Sequence, residues 1–203
     1  MASVALGSRA GMLIPIGLSM GGMVALEMWC RAPQRVAALA LFDTDAGADT
    51  VDRAKSRQQL LLQVENGGAH ALLTAAREQL VPRYFARPAL AFPQAFEIAV
   101  DMAVTQGAAA YAAQHHALAT RQDYWAALPT IAVPTLIACG DDDPVCSSAL
   151  HVEMSAAIPG ASLRQIPDGG HLPPLAQPTL TRDVLATWLD TLPSDTIVAS
   201  VEG

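Results

Sequence analysis

The segment at residues 17–21 holds a serine between glycines, and it is the first place in this sequence where chemistry is expected. Gly17-Leu18-Ser19-Met20-Gly21 matches the G-x-S-x-G pattern and lies between an apolar run at 12–16 and a helix-like run. At such a turn the serine hydroxyl stands clear of the sheet, and the next backbone N–H points to where negative charge develops. The pattern predicts Ser19 as a nucleophile and Met20 as an oxyanion-hole donor.

Phosphate-binding loops also place glycines between a strand and a helix. A Walker loop requires Gly-Lys followed by Ser or Thr, which this sequence lacks. The dinucleotide fingerprint requires an acidic residue after the next strand, which Asp43 could supply, but residues 17–19 lack its G-x-G opening. The nucleophile interpretation is therefore favoured over phosphate binding.

A serine hydroxyl is a poor nucleophile without a base, and a base is expected late in the chain. His171 fits, because it follows the turn Pro-Asp-Gly-Gly at 167–170 directly after the last predicted strand. The other histidines fall in helical segments, where we expect them to be solvated or to line a lid: His70, His115, His116 and His151. A metal site at His115–His116 is disfavoured because neighbours on a helix point in different directions.

An acid must fix the tautomer of the histidine and stabilise its charged form. Three aspartates, Asp141 to Asp143, follow a predicted strand at 135–139 and Gly140. Each of them would also suit a solvated turn. Asp43, after the preceding strand, and Asp168 are further candidates.

The elements that must position these residues alternate along the chain. Apolar runs at 12–16, 36–42, 135–139 and 162–166 predict strands, and helix-like runs at 19–32, 147–158 and 179–192 lie between or after them. Such alternation predicts an α/β fold with a parallel sheet and helices on both faces. We expect residues 1–45 and 129–203 to form the core, and 46–128 to form a helical insertion interrupted at 66–68, Pro88 and Gly107.

Charge and composition exclude several classes of partner. The net charge is -7 and no run of basic residues occurs, so nucleic acid is not an expected partner. The apolar stretch at 13–29 is interrupted by Pro15 and glycines and contains Glu27, which argues against a membrane span. Residues 1–10 do not resemble a signal peptide, and three cysteines do not suggest a disulfide framework. We expect a soluble, cytoplasmic protein.

Four stretches together resemble a known family. They read GLSMGGMVA at 17–25, APQRVAALALFDT at 32–44, VPTLIACGDDD at 133–143 and IPDGGHLPPLAQP at 166–178. The sequence is similar, from about Leu13 to Leu192, to α/β-hydrolases close to oxoadipate enol-lactonases, carboxylesterases and cofactor-free haloperoxidases.

The resemblance implies a triad and a chemistry. In this family the acid usually lies three residues after the glycine at the strand end, which favours Asp143 over Asp141 and Asp142. The implied triad is Ser19, Asp143 and His171, under a helical cap at about 46–128. It implies acyl transfer on a small ester or lactone without a cofactor or metal; perhydrolysis and carbon–carbon bond hydrolysis use the same triad.

One departure from the family pattern opens a second interpretation. Family members usually have four strands before the serine turn, and a loop among them supplies the second oxyanion-hole donor; the strand at 12–16 has no such predecessors here. The chain could be a working hydrolase, or a truncated relative that serves as a binding or assembly module. The strand at 12–16 would be an edge, and Pro15 is tolerated there. We therefore expect a homo-oligomer formed through this edge.

Overall fold

Two compact units make up this chain. The computed structural model describes residues 1–7, 10–85 and 92–194. The first unit comprises Met1–Ala46 and Tyr124–Gly203, and the second comprises Gly47–Asp123. The second unit thus lies between two parts of the first along the chain. That it acts as a cap stays a prediction.

The first unit is built on a parallel sheet. Its strands β1 (Ile16–Leu18), β2 (Leu39–Phe42), β3 (Thr135–Gly140) and β4 (Ser162–Ile166) lie side by side in sequence order. β2 and β3 are buried along their whole lengths, as expected of strands covered on both faces. The register aligns Phe42 with Ala138, so the ends of β2 and β3 meet at one edge.

Side chains alternate between two apolar layers, one on each face of the sheet. Leu39, Leu41 and Ile137 belong to the layer that contains Leu26 of α2 (Met20–Arg31) and Met154 of α6 (Ser148–Ala157). The intervening side chains pack on the opposite face against α8 (Pro178–Leu189): Ala40, Phe42, Leu136 and Ala138 with Trp188. The first unit also contains the short helices α1 (Ala2–Gly7) and α7 (Pro173–Ala176) and 3-10 turns at Pro33–Arg35 and Trp125–Thr130. The predicted parallel sheet covered by helices is confirmed.

The predicted strand at 12–16 is shifted in the structure, and the reason is Pro15. Only Ile16 of that run belongs to β1, while Leu13 forms an isolated parallel bridge with Val36. Pro15 has no N–H to donate, although its carbonyl accepts a hydrogen bond from the Ala40 N–H at 3.0 Å. The continuous strand pattern is therefore interrupted just before β1.

β1 lies at one end of the described sheet order and pairs with β2 alone among the described strands. Ile16 is 50% exposed there, unlike the buried residues of β2 and β3. Beside it lies a largely apolar groove of about 270 Å³, lined by residues of three segments: Ala5, 13–16 and the α2 residues Gly21, Val24, Ala25 and Met28. We call this the β1 edge.

The second unit is helical. It contains α3 (Val51–Ala75), which Gly68 kinks with a φ of 60°, then α4 (Pro93–Thr105) and α5 (Gly107–Ala119). Its apolar contacts join α3 and α5: Leu61, Val64, Leu72 and Ala75 with Tyr111. The predicted break at Pro88 lies outside the described residues. Among the described residues, no helix has the length and apolar character needed to cross a bilayer.

The two ends of the second unit are joined by a buried ion network. The Asp49 carboxylate is 1% exposed, accepts a hydrogen bond from Arg57 Nε at 2.7 Å and lies 2.9 Å from Arg121 Nη1. Burial by itself would raise the pKa of Asp49, but the hydrogen bonds and charges of the two arginines outweigh it and lower the pKa. Arg121 Nε also donates to the Gly47 carbonyl at 2.8 Å, so the first residue of the unit contacts a residue two positions before its last.

The chain leaves and re-enters the first unit at neighbouring points. The Tyr124 N–H donates to the Ala46 carbonyl at 2.7 Å. Residues that are 78 positions apart in sequence are therefore hydrogen-bonded where the second unit is inserted.

Candidate active site

Ser19 occupies the turn between the end of β1 and the start of α2. Its φ of 51° and ψ of -115° are uncommon for a residue with a side chain, and such strain persists only where the surroundings impose it. Here they do: the Ser19 N–H donates to the Phe42 carbonyl at 2.9 Å, and the Thr44 hydroxyl donates to the Ser19 carbonyl at 2.7 Å. The serine is thus held on a sharp turn at the carboxyl end of the sheet.

Glycine is required where β1 and α2 cross. A Cβ placed on Gly17 would lie 2.3 Å from the Gly21 carbonyl oxygen, which is backbone and cannot swing away. A Cβ on Gly22 would lie 2.6 Å from the Thr44 side chain. Gly17 and Gly21, the two glycines of the G-x-S-x-G pattern, differ in the space around them, because a Cβ on Gly21 would meet nothing within 4 Å.

This difference provides a matched pair of variants. We expect Gly17→Ala to lower the free energy of unfolding by about 3 kcal/mol, because helix and strand must separate to admit the methyl group. Gly21→Ala should raise the free energy of unfolding by about 1 kcal/mol or less, since alanine favours a helix more than glycine does. Urea unfolding followed by circular dichroism measures both. Equal effects of the two substitutions would contradict the proposed crowding at Gly17.

His171 lies next to Ser19 although the two are 152 residues apart in sequence. Its side chain is 3% exposed, its Nε2 is 2.9 Å from Ser19 Oγ, and its Nδ1 is 2.8 Å from Asp143 Oδ2. The turn before it packs closely on the end of β3, where a Cβ on Gly140 would lie 2.1 Å from the Gly170 carbonyl oxygen. The structure therefore brings Ser19, His171 and Asp143 into one hydrogen-bonded row.

Asp143 is held as an acceptor. Its Oδ1 accepts hydrogen bonds from the backbone N–H groups of Val145 at 2.7 Å and Cys146 at 3.1 Å, while Oδ2 faces His171. With a carboxylate at Asp143, the imidazole donates from Nδ1, and Nε2 is left to accept the proton of Ser19. This is the tautomer that a base for Ser19 needs.

The neighbouring aspartates hold the histidine turn instead of touching the imidazole. Asp141 Oδ1 accepts from the N–H of Asp168 at 3.0 Å, and Asp142 Oδ1 accepts from the N–H of Gly170 at 2.9 Å. Asp168 itself has a φ of 54° within that turn. Asp141, Asp142 and Asp168 are thus placed in the support of the turn, whereas Asp143 reaches the ring.

Asp43, the remaining candidate acid, lies in contact with Asp143. It is fully buried, and its Oδ1 accepts a hydrogen bond from the Gly140 N–H at 2.8 Å. Burial, together with the charge and hydrogen bonding of Asp143, raises the pKa of Asp43 to about 9, although the Gly140 N–H acts in the other direction. A second carboxyl group, with a raised pKa, therefore lies beside the row.

The expectation for His151 was wrong. It was expected to be solvated or to line a lid, but it is fully buried in the first unit, where Nδ1 contacts the Ser147 carbonyl at 2.9 Å and Nε2 accepts from the Thr44 N–H at 3.1 Å. Burial lowers its pKa, so the ring is neutral and ties α6 to the loop after β2. The apolar layer around Met154 encloses this face of α6, and no local pattern marks that depth.

The histidines of the second unit differ in exposure. His70 and His116 are exposed, whereas His115 is buried against the Tyr111 ring at a centroid distance of 4.0 Å. Burial and the charge of Arg57 lower the pKa of His115 to about 4. His115 and its neighbour His116 thus differ in burial, as the helical geometry predicts.

A different group of side chains meets the spacing of metal ligands. Among the described residues, Asp143, Cys146 and His171 offer ligand atoms within 4.8 Å of one another. Both nitrogens of His171 are already engaged, one by Asp143 and one by Ser19. The group therefore fits proton transfer better than metal ligation, and the absence of a cofactor stays a prediction.

Met20 begins α2, directly after Ser19. The first N–H groups of a helix have no partner within the helix, and they carry partial positive charge. This placement agrees with the prediction of Met20 as an oxyanion-hole donor, which stays a prediction. A negative charge developing next to Ser19 Oγ would lie near this helix start.

Comparisons with known proteins give the family. The sequence profile of the alpha/beta hydrolase family matches residues 4–184. A Bacillus subtilis protein provisionally assigned as a 2-succinyl-6-hydroxy-2,4-cyclohexadiene-1-carboxylate synthase is 24% identical over 185 residues, which are 87% of this chain and 65% of that protein. The chain thus spans about two thirds of the length of this curated relative.

Solved structures agree with that assignment. A thermophilic esterase from Thermogutta terrifontis is 28% identical with a TM-score of 0.85, over 94% of this chain and 69% of that one. The enol-lactonase from Burkholderia xenovorans LB400 shares the fold at 24% identity and a TM-score of 0.76, over 93% and 69%. With nearly the whole sequence matched by the family profile, this chain belongs to the alpha/beta hydrolase family.

Proposed function

We propose that this chain hydrolyses a carboxylic ester or lactone through a covalent acyl-enzyme on Ser19. The observation that carries the proposal is the row Ser19 Oγ, His171 Nε2 at 2.9 Å and, from Nδ1, Asp143 Oδ2 at 2.8 Å. A serine, a base that can take its proton and an acid that orients the base are the three parts required for this chemistry.

The first half of the reaction forms the acyl-enzyme. His171 Nε2 takes the proton of Ser19 as Oγ bonds to the substrate carbonyl carbon, and the charge moves to the carbonyl oxygen near the Met20 N–H. Asp143 stabilises the imidazolium. Collapse of the tetrahedral intermediate breaks the bond to the leaving oxygen, which receives the proton from His171.

The second half regenerates the serine. A water molecule gives a proton to His171 Nε2 as its oxygen attacks the acyl carbon, and the Ser19 oxygen then leaves with that proton. The products are a carboxylic acid and an alcohol, which for a lactone remain in one molecule. The buried position of His171 limits competing contact between the imidazole and bulk water.

The comparisons support ester or lactone chemistry. The similar structures include an esterase and an enol-lactonase, whereas the curated relative is assigned as a synthase. We propose a small-molecule substrate of the ester or lactone class. We further propose that the helical unit Gly47–Asp123, inserted between β2 and β3, acts as the cap that selects it.

Covalent labelling tests the proposed function directly. A fluorophosphonate probe should attach to Ser19, as identified by peptide mass spectrometry, and a panel of nitrophenyl esters and lactones should show enzyme-dependent turnover. Prior treatment with the probe should abolish that turnover. A folded chain that neither reacts with the probe nor hydrolyses any member of the panel would rule out the proposal.

The β1 edge supports a second candidate function, namely assembly. Unpaired backbone N–H and C=O groups at a strand edge can form hydrogen bonds with another strand. Ile16 and the groove beside it add exposed apolar surface, which is typical of an interface. We propose that a second copy of this chain covers this edge, so that the molecule forms a homodimer or larger assembly whether or not it hydrolyses esters.

Light scattering coupled to gel filtration measures the assembly state. At low micromolar concentration we expect a mass of at least two chains. Ile16→Lys, which adds a charge at the exposed edge, should shift the mass toward one chain because the pairing surface loses apolar contact. Val152→Lys, at an exposed position on α6, is the matched control and should leave the mass unchanged. A wild-type monomer that binds no hydrophobic dye would contradict the proposal.

A further inference from the structure

Asp43 is fixed at the end of β3 by its own backbone and side chain. Its N–H donates to the Ala138 carbonyl at 3.0 Å, and its Oδ1 accepts from the Gly140 N–H at 2.8 Å. Its φ of 44° is a strained value for a residue with a side chain, as at Ser19. A fully buried carboxyl group needs a partner for each of its polar atoms.

The second carboxyl oxygen of Asp43 lacks a hydrogen-bond donor in the part of the chain that the structure describes. Oδ2 is buried and receives no hydrogen bond from an N–H or O–H group of the described residues. The Asp43 carboxyl group as a whole lies within hydrogen-bonding reach of the carboxyl group of Asp143. Two ionised carboxylates only accept, so groups in such contact must hold a proton between them.

The proton belongs on Asp43. Asp143 already accepts from Val145, Cys146 and His171, which all favour an ionised acceptor. Asp43 accepts from the Gly140 N–H through Oδ1, while its Oδ2 has no donor among the described residues. The geometry thus makes Asp43 a donor and Asp143 an acceptor.

We propose that Asp43 is a positioning residue whose protonated carboxyl group donates a hydrogen bond to Asp143 and holds that carboxylate toward His171. The inference rests on the proposed function of the row Ser19, His171 and Asp143. Asp43 acts through Asp143 and touches neither the serine nor the substrate.

The protonation state follows from the surroundings. Burial, first, and the negative charge of Asp143 raise the pKa of Asp43 to about 9, against the opposing effect of the Gly140 N–H. Asp43 is therefore protonated at neutral pH. As the pH rises through about 9, it loses the proton, two negative charges face each other, and the hydrogen bond to Asp143 is lost.

Two titratable groups next to Asp43, Cys139 and His151, stay in one state through this range. Cys139, on β3, has its thiol pKa raised to about 12, chiefly by burial and then by Asp43, Asp143 and Asp141. His151, on α6, binds the backbone next to Asp43, and burial lowers its pKa, so it is neutral. The Cys146 thiol also lies near, within 4.8 Å of ligand atoms of Asp143 and His171, so a change near pH 9 is assigned to Asp43 by comparison with Asp43→Asn.

Asp43→Asn is the informative variant. The amide oxygen still accepts from Gly140 and the amide N–H₂ still donates to Asp143, but there is no proton to lose. We expect its kcat at pH 7 to lie within about 3-fold of the wild type, since a donor to the carboxylate is retained. Wild-type kcat should fall as the pH rises through about 9, and Asp43→Asn should remove that fall.

Asp43→Leu removes both hydrogen bonds and serves as the comparison. Its kcat should fall by about 10- to 100-fold with little change in KM, since a hydrogen bond to a charged group is lost. The proposal is overturned if Asp43→Asn loses as much kcat as Asp43→Leu, or if the alkaline fall persists in Asp43→Asn. Because the asparagine variant is isosteric, its comparison with the wild type across the pH range stands even if the leucine variant fails to fold.

A measurement without substrate separates this inference from the proposed function. In ¹³C NMR of protein labelled at the aspartate carboxyl carbons, one signal should titrate with a midpoint near 9 and be missing from Asp43→Asn. That result supports the protonated pair even if no ester is hydrolysed, in which case the proposed function alone fails. If every aspartate signal titrates below pH 6, Asp43 is ionised and the inference is wrong.

Discussion

Ser19→Ala is expected to abolish probe labelling and to lower ester turnover by about a millionfold, the loss seen when the nucleophile of a triad is removed. No described side chain replaces the hydroxyl at 2.9 Å from His171 Nε2. The fold should be unaffected, because the hydrogen bonds at this turn use the Ser19 backbone N–H and carbonyl groups. Circular dichroism and thermal unfolding check the fold, and kcat/KM on the best ester of the panel measures the effect.

Ser56→Ala is a suitable control for this substitution. Ser56 is exposed on α3 in the second unit, so its removal should leave labelling and turnover at wild-type levels. The nucleophile would have to be reassigned if the Ser19→Ala protein were still labelled in full, or if the label mapped to another serine.

Asp143→Asn is the second change for which we expect a large effect. Its kcat should fall by about 10⁴-fold, because the amide can present N–H₂ to Nδ1 and so favour the wrong tautomer of His171. The KM should change far less, since Asp143 acts on the imidazole and not on the bound substrate. The measurement is steady-state kinetics at pH 7, with thermal unfolding to check that the substituted loop still forms.

The adjacent aspartates provide matched controls for that experiment. Asp141→Asn and Asp142→Asn keep an oxygen that can accept from the N–H groups of Asp168 and Gly170, so both should retain kcat within about 10-fold. If Asp141→Asn or Asp43→Asn reproduced the full loss while Asp143→Asn did not, the choice of Asp143 as the acid would be wrong.

The sequence pattern was sufficient to select candidate site residues where these residues lie in short turns that follow strands. The glycine-serine turn, the aspartates after Gly140 and the glycines before His171 each follow a strand, and in a parallel sheet such ends lie at one edge. The structure accordingly brings Ser19, Asp143 and His171 together. Local residue order alone left Asp141, Asp142 and Asp143 equivalent. They differ in the direction in which each side chain leaves the turn, which the sequence does not give.

The contact between Asp43 and Asp143 could not be predicted from patterns of residues that are close in sequence. It depends on the register that aligns Phe42 with Ala138, which places the residue after β2 against the loop after β3. Register between strands 96 residues apart is set by packing on both faces of the sheet, not by neighbours in sequence. His151 was misjudged for a related reason, since its burial follows from how α6 packs on the sheet.

The boundaries of β1 also required three-dimensional information. The apolar run at 12–16 reads as one strand, but Pro15 cannot donate to the ladder, so the regular pairing begins at Ile16 and extends to Leu18. Hydrophobicity indicates that a segment is buried, while hydrogen-bond donors determine where a strand begins.

The hydrogen bond between Tyr124 and Ala46 has an evolutionary consequence. Both crossings of the chain lie side by side in the first unit, and the ends of the second unit meet through Arg121 and Gly47. A segment with adjacent ends can be exchanged for another of different length with little change in the scaffold that carries it. Selection can therefore replace residues 47–123 as a cassette while the residues around Ser19 are inherited unchanged, and under the proposed cap role such an exchange would change the substrate.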